Sequence, residues 1–171
     1  MKILITYFSQ TGNTEKIAQA IKNGLRDQDV DVKTINETNP DEFINYNLVF
    51  IGSGVYASRV HGSVVNLIKK VSKFPKNFIY FCTHASQKLY QTPFEKIAKI
   101  LEKNKCTIIG EFDCVGENKA MSLETRMAMI KRLPTKEQEK ALKDIKLTEG
   151  HPDQIDLDNA KKFAELILEK F

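Results

Sequence analysis

Lys2-Ile3-Leu4-Ile5-Thr6-Tyr7-Phe8 runs directly into Ser9-Gln10-Thr11-Gly12-Asn13-Thr14, and that into Glu15-Lys16-Ile17-Ala18-Gln19-Ala20-Ile21. An apolar, β-rich run, a short hydroxyl-and-glycine loop and a helical pattern follow one another without a break. They read as strand, turn and helix, with the helix N-terminus facing the loop. The loop offers backbone N–H groups and the hydroxyls of Ser9, Thr11 and Thr14 to an anion, and the helix macrodipole adds partial positive charge at the same point. A phosphate monoester suits that cradle. A plain Ser/Thr helix cap needs one hydroxyl, whereas this loop supplies three.

Outward from this unit the pattern repeats. Ile17, Ala18, Ile21 and Leu25 form one helical stripe, ending near residues 26–28, and Val30, Val32 and Ile35 alternate with polar residues as a second strand suited to a sheet edge. Asn39-Pro40-Asp41-Glu42 places proline after a cap residue and predicts a short helical connection over Phe43 and Ile44. Leu48-Val49-Phe50-Ile51 is continuously apolar, as in a parallel strand covered on both faces, and it enters a second loop, residues 52–58. A helix from about His61 carries Val64, Val65, Ile68 and Val71, and Phe78 to Cys82 make a fourth strand that ends in a third loop, Thr83-His84-Ala85-Ser86.

Thr92-Pro93-Phe94-Glu95 combines a capping box with proline and predicts a helix over residues 93–104. Residues 107–116 read as a fifth strand. Before the final helix lies a long connection, residues 117–149, in which Leu123, Met127 and Ile130 have helical spacing and Thr135 with Gln138 forms another capping box; two short helices are expected there. Asp156 or Asp158 is placed to cap the last helix. Right-handed crossovers turn this order into an α/β fold, a doubly wound five-stranded parallel sheet in the order 2-1-3-4-5, with a helical insertion at 117–149 and a single domain over 1–171.

Composition sets the outer limits. The chain has 171 residues, a hydrophobic share of 42%, a charged share of 28% and a net charge of +4. The lysines alternate with glutamates along helical faces, which describes a solvated surface and no nucleic-acid footprint. No apolar run approaches a membrane span and the N-terminal run is too short for a signal peptide, so a cytoplasmic location is expected. Cys82, Cys106 and Cys114 form no C-x-x-C pair and have no histidine at metal-ligand spacing. A phosphatase-type Cys-x5-Arg loop is excluded, because Lys88 and Ala120 stand six residues past Cys82 and Cys114. No metal site and no catalytic residue is assigned.

Ligands of open α/β sheets bind beyond the carboxyl ends of the strands at the switch point, here between strands 1 and 3, where all three loops emerge. At Ser9, Thr11, Gly12 and Thr14 the chain resembles the flavodoxin family, whose phosphate loop has the form hydroxyl residue, any residue, Thr-Gly-any-Thr. The resemblance implies a flavodoxin-like FMN-binding flavoprotein. It places the FMN phosphate at Ser9, Gln10, Thr11, Gly12, Asn13 and Thr14. Ser53, Gly54, Val55, Tyr56 and Ala57 then bound the isoalloxazine ring, with Tyr56 a stacking candidate. Thr83, His84, Ala85 and Ser86 approach its pyrimidine side, and Tyr90 is a second stacking candidate. His84 is also placed to bias the charge of the reduced flavin or to pass a proton.

The sequence leaves three functions open. The first is electron transport between redox partner proteins. The second is an FMN-dependent oxidoreductase that takes hydride from a nicotinamide and reduces a quinone, like the quinone reductases or menaquinone-dependent protoporphyrinogen oxidases built on this fold. The third is a flavin-free binding or regulatory module. Flavodoxins that shuttle electrons are commonly acidic around the flavin edge, whereas this chain has a pI near 8.8. Met121, Met127 and Met129 of the insertion suit either an adaptable lid or partner surface, or plain core packing. A receiver domain is disfavoured because Tyr7, Phe8 and Ser9 stand where an acidic pair is needed. Gly12 alone makes neither a dinucleotide fingerprint nor a Walker loop.

Overall fold

In the computed structural model, which describes residues 1–86 and 93–170, the apolar runs become neighbouring strands. β1 (Lys2–Phe8) lies between β2 (Asp29–Thr34) and β3 (Leu48–Tyr56); β5 (Asn77–His84) follows β3, and β6 (Thr107–Val115) closes the far edge. All these pairings are parallel, in the order β2-β1-β3-β5-β6. The expected 2-1-3-4-5 order is therefore present, with one addition. β4 (Arg59–Val60) turns back against the end of β3 as a short antiparallel hairpin.

Period-two alternation along β1 sorts the core into two layers. Ile3, Ile5 and Tyr7 join Ile17 and Ile21 of α1 (Asn13–Gly24) and Ala160, Ala164 and Ile167 of α6 (Gln154–Leu168) on one face. Leu4, Val49 and Ile51 meet α2 (Gly62–Lys70) and α3 (Glu95–Lys103) on the other, with Phe43 of the 3-10 helix Pro40–Asn45. The continuously apolar β3 is buried on both faces, as its composition requires, and β2 at the edge stays half exposed. Each fully buried Phe or Ile here contributes about 1.5–3 kcal/mol.

Several boundaries differ from the sequence expectation. α1 stops at Gly24, short of residues 26–28, and α3 begins at Glu95; the Thr92 half of its expected capping box lies outside the described residues. The final helix is capped by Asp153, with Asp156 as the reciprocal partner, because Asp153 is the residue whose side chain reaches the N–H groups of Ile155 and Asp156. The Thr135 box does not form. Gln138 instead donates to the carbonyls of Lys131 and Leu133, tying the turn between α4 (Leu123–Ile130) and α5 (Thr135–Thr148). These two helices stand largely outside the core: Met121 and Met127 are half-buried, Met129 is exposed, and Leu123, Leu133, Leu142 and Leu147 present apolar surface to solvent.

Residues 52–58, expected as a loop, are mostly strand. β3 continues to Tyr56 and reverses through Ala57 and Ser58, with φ of 47° and 64°. Two consecutive left-handed residues make a hairpin turn of the kind that follows strand twist, normally built from Asn and Gly. Neither Ala nor Ser favours that backbone region. Ser58→Gly should raise the unfolding free energy by about 1 kcal/mol, read from urea denaturation, by removing part of the left-handed cost. Among the described residues no helix is long and apolar enough to cross a membrane.

Candidate functional site

β1 ends at Phe8 and the chain crosses the top of the sheet in four residues. Gly12 sits at φ 87° and opens α1, whose first turn receives no side-chain cap. The other long helix on this face, α6, is capped by Asp153. At α1 the Ser9 hydroxyl accepts from the Gly12 N–H at 3.1 Å, shaping the loop, and the Lys16 N–H bonds the Gly12 carbonyl as the helix begins. The N–H groups that start a helix need an acceptor, and with no side chain among the described residues capping this turn the loop is ready for an anion.

Two ties hold this loop to its neighbours, and a third joins those neighbours to each other. The hydroxyls of Thr14 and Thr83 lie 3.0 Å apart, both buried, joining the start of α1 to the end of β5. Asn13 Nδ2 donates to the Glu117 carbonyl at 2.8 Å, and the Gly116 N–H donates to the His84 carbonyl at 2.8 Å. A Cβ at Gly116 would stand 2.8 Å from Asn13 Nδ2, so a larger residue there would have to displace the Asn13 side chain and its bond to the Glu117 carbonyl. The result is a cleft of about 200 Å³ at the carboxyl edge of β1, β3, β5 and β6.

Most of the sequence-predicted residues meet there. Ser9, Gln10, Thr11, Asn13 and Thr14 line one side, Gly54, Val55 and Tyr56 a second, and Thr83, His84 and Ala85 a third. Gly12 shapes the loop from behind, facing a separate surface groove with Glu15 and Lys16. Ser53 does not reach the cleft. It is fully buried within β3, where its hydroxyl donates to the Gly54 carbonyl and accepts from the His61 N–H. Ala57 is the hairpin tip, Ser86 accepts from His84 through its carbonyl, and Tyr90 lies outside the described residues.

Tyr56 folds back along its own strand, packing edge-on against Phe8 at 6.0 Å and His61 at 5.6 Å, with its hydroxyl end over Gly54. Burial raises its phenol, while the nearby Gln10 N–H pulls the other way. His61, to which the sequence reading assigned nothing, stacks on Phe8 at 3.7 Å and caps α2 through Nδ1. His84 is buried, with Nδ1 2.8 Å from the Ser86 carbonyl and Nε2 3.0 Å from Asp113 Oδ2. Burial pushes the Cys82 and Cys114 thiols well up, so that both pack as small apolar residues.

Sequence reasoning missed the fourth wall, Gly116, Glu117, Asn118 and Ala120, which follows β6. The available signal was positional: every parallel strand of such a sheet delivers a loop to the same edge. Reading residues 117–149 only as an inserted helical stretch hid its first residues from the site.

The flavodoxin domain model matches residues 4–165. The chain belongs to the flavodoxin family. An uncharacterized protein of Methanocaldococcus jannaschii is 31% identical over 98% of this chain and 99% of its own. The flavodoxin-like domain-containing protein BilS of Clostridioides difficile is 28% identical, covering 99% of this chain and 98% of its own. Among solved structures, oxidised flavodoxin 1 of Bacillus cereus superposes with a TM-score of 0.67 over 100% of this chain and 99% of that one, at 11% identity. The fold is thus shared where little sequence is. In this flavodoxin-family chain the cleft lies at the β1/β3 switch point, where the strand order reverses.

Proposed function

We propose that the cleft binds FMN with its phosphate at residues 9–14, and that the protein carries electrons between redox partner proteins. The observation that carries this reading is the start of α1: a left-handed Gly12, no side-chain cap, and the hydroxyls of Ser9, Thr11 and Thr14 on one loop. That donor set fits a dianionic phosphate, being neutral hydroxyls and amides backed by a helix dipole. Bound FMN supplies one- and two-electron redox chemistry, which the cleft's own side chains do not. The side chains orient and enclose it. Thr14 and Thr83 brace the floor, and Asn13 holds the fourth wall closed.

The purified protein should be yellow, release FMN on denaturation, and rebind it stoichiometrically. A colourless protein that fails to bind added FMN overturns the reading. Photoreduction resolved into two one-electron stages supports a carrier.

A second reading, NAD(P)H-dependent reduction of a quinone, is favoured by one feature. A groove of about 790 Å³ adjoins the cleft at Tyr56 and is lined by Arg59, Lys69 and Lys96 among others. Its cations suit an anionic co-substrate. Rapid bleaching of the flavin by NADPH, with turnover on a quinone, would select this reading over the carrier.

A further inference from the structure

His84 is 6% exposed, and each of its ring nitrogens meets a group that accepts. The Ser86 carbonyl oxygen has no proton to give, so Nδ1 carries one. Asp113 Oδ2 stands 3.0 Å from Nε2, and the hydrogen bond from His84 holds that carboxyl below the ordinary aspartate range. A half-exposed carboxylate also only accepts, so the geometry calls for a proton on Nε2 as well. A neutral imidazole has a single N–H and would aim a lone pair at one of these oxygens. Among the described residues, the other titratable groups near the ring are Cys82, Cys114, Glu117 and, two residues before Asp113 on β6, Glu111. The Cys82 and Cys114 thiols are kept neutral by burial, and Glu117 on the cleft rim lies 3.6 Å from Lys119. The α1 residues that share the cleft, Asn13 and Thr14, are uncharged.

We propose that His84 is a fixed imidazolium in the cleft wall, clamped by Asp113, and that its charge raises the reduction potential of FMN bound there. The claim about potential rests on the FMN reading above; the claim about the ion pair does not. Reduction by two electrons with uptake of one proton adds a unit of negative charge to the isoalloxazine, and a cation in the same cleft favours that form. Both His84 N–H groups are spent on the protein, so His84 acts through its charge, and Asp113 is the positioning residue that keeps it charged.

The test uses the full chain before and after FMN is added. Nitrogen NMR of His84 at pH 7 should show both ring nitrogens protonated in the FMN-free protein. In Asp113→Asn, whose amide can rotate to donate, Nε2 should lose its proton. With FMN bound, His84→Gln and Asp113→Asn should each reduce the preference for reduced over oxidised FMN about tenfold, or about 30 mV for the two-electron couple. His84→Lys should restore it. A single protonated nitrogen in the wild-type chain overturns the ion pair. An unchanged potential in Asp113→Asn, whose side chain is half exposed and whose loss spares the core, overturns the tuning role. A protein that binds no FMN removes the reading beneath the potential, and the NMR result still decides the ion pair.

Discussion

Gly12→Val should lower the proposed affinity for FMN at least about tenfold, because a β-branched residue loses about 1–2 kcal/mol or more in the left-handed region that this turn requires. Gly12 lies at φ 87°, and an ideal Cβ there meets nothing within 4 Å, so the penalty is one of backbone geometry and not of crowding. A valine can hold that geometry under strain or relax it. Relaxing it rotates the adjoining peptides and turns their N–H groups away from the phosphate. The substitution series separates the two causes of loss: Asn, which tolerates left-handed backbone, should bind nearly as well as Gly, Ala should be intermediate, and Val weakest. Flavin fluorescence quenching measures the affinities, and far-UV circular dichroism checks the fold. Equal affinity across Gly, Asn and Val would mean that the phosphate does not lie in this loop.

Gly52→Val should cost about 3 kcal/mol of stability, roughly a 6–12 °C fall in Tm for a chain of this size. Gly52 pairs with Tyr7 on one side and Phe81 on the other, in the middle of the central strand. An ideal Cβ at that position overlaps the Phe81 ring, which is fully buried. Phe81 thus fills the space that a side chain would take, and a valine must displace it into a packed layer shared with Phe50 and Ile79. The intrinsic strand preference of valine recovers at most about 1 kcal/mol. Gly62→Ala is the matched control, since a Cβ there meets nothing within 4 Å and, as the first residue of α2 after its His61 cap, the position asks little of helix propensity. Thermal denaturation of the two variants beside the parent distinguishes crowding at Gly52 from a general effect of losing glycine.

The order of strands and the position of the cleft were legible because they follow from local pattern plus general rules. The strand patterns at Lys2–Phe8 and Leu48–Tyr56, the loop between Phe8 and Asn13, and the right-handed crossover rule together place a ligand edge at the switch point. What was not legible depends on contacts between residues far apart in sequence. Ser53 sits in a run of loop-like residues, yet strand pairing on both sides buries it and commits its hydroxyl to the backbone. Thr135 has a capping-box pattern, but Gln138 finds carbonyls at the end of α4 instead. His61 looked like a plain helix-start residue, and only the approach of Phe8 gave it a stacking partner.

By itself the sequence determined the character of the first loop: hydroxyls at three positions, a glycine where the backbone must turn left-handed, and a helix behind them. These are properties of consecutive residues, and the chain cannot avoid them once the strand and helix form. Tertiary structure decided the surroundings. It brought Asp113, 29 residues away along the chain, to His84 Nε2, and it closed the cleft with residues after β6 through the Asn13 bond to the Glu117 carbonyl. The reason is that a parallel sheet aligns the carboxyl ends of strands that are separated by whole helices, so residues with no local relation meet at one edge. The loop supplies the hydroxyls and amides, and the sheet assembles the walls around them.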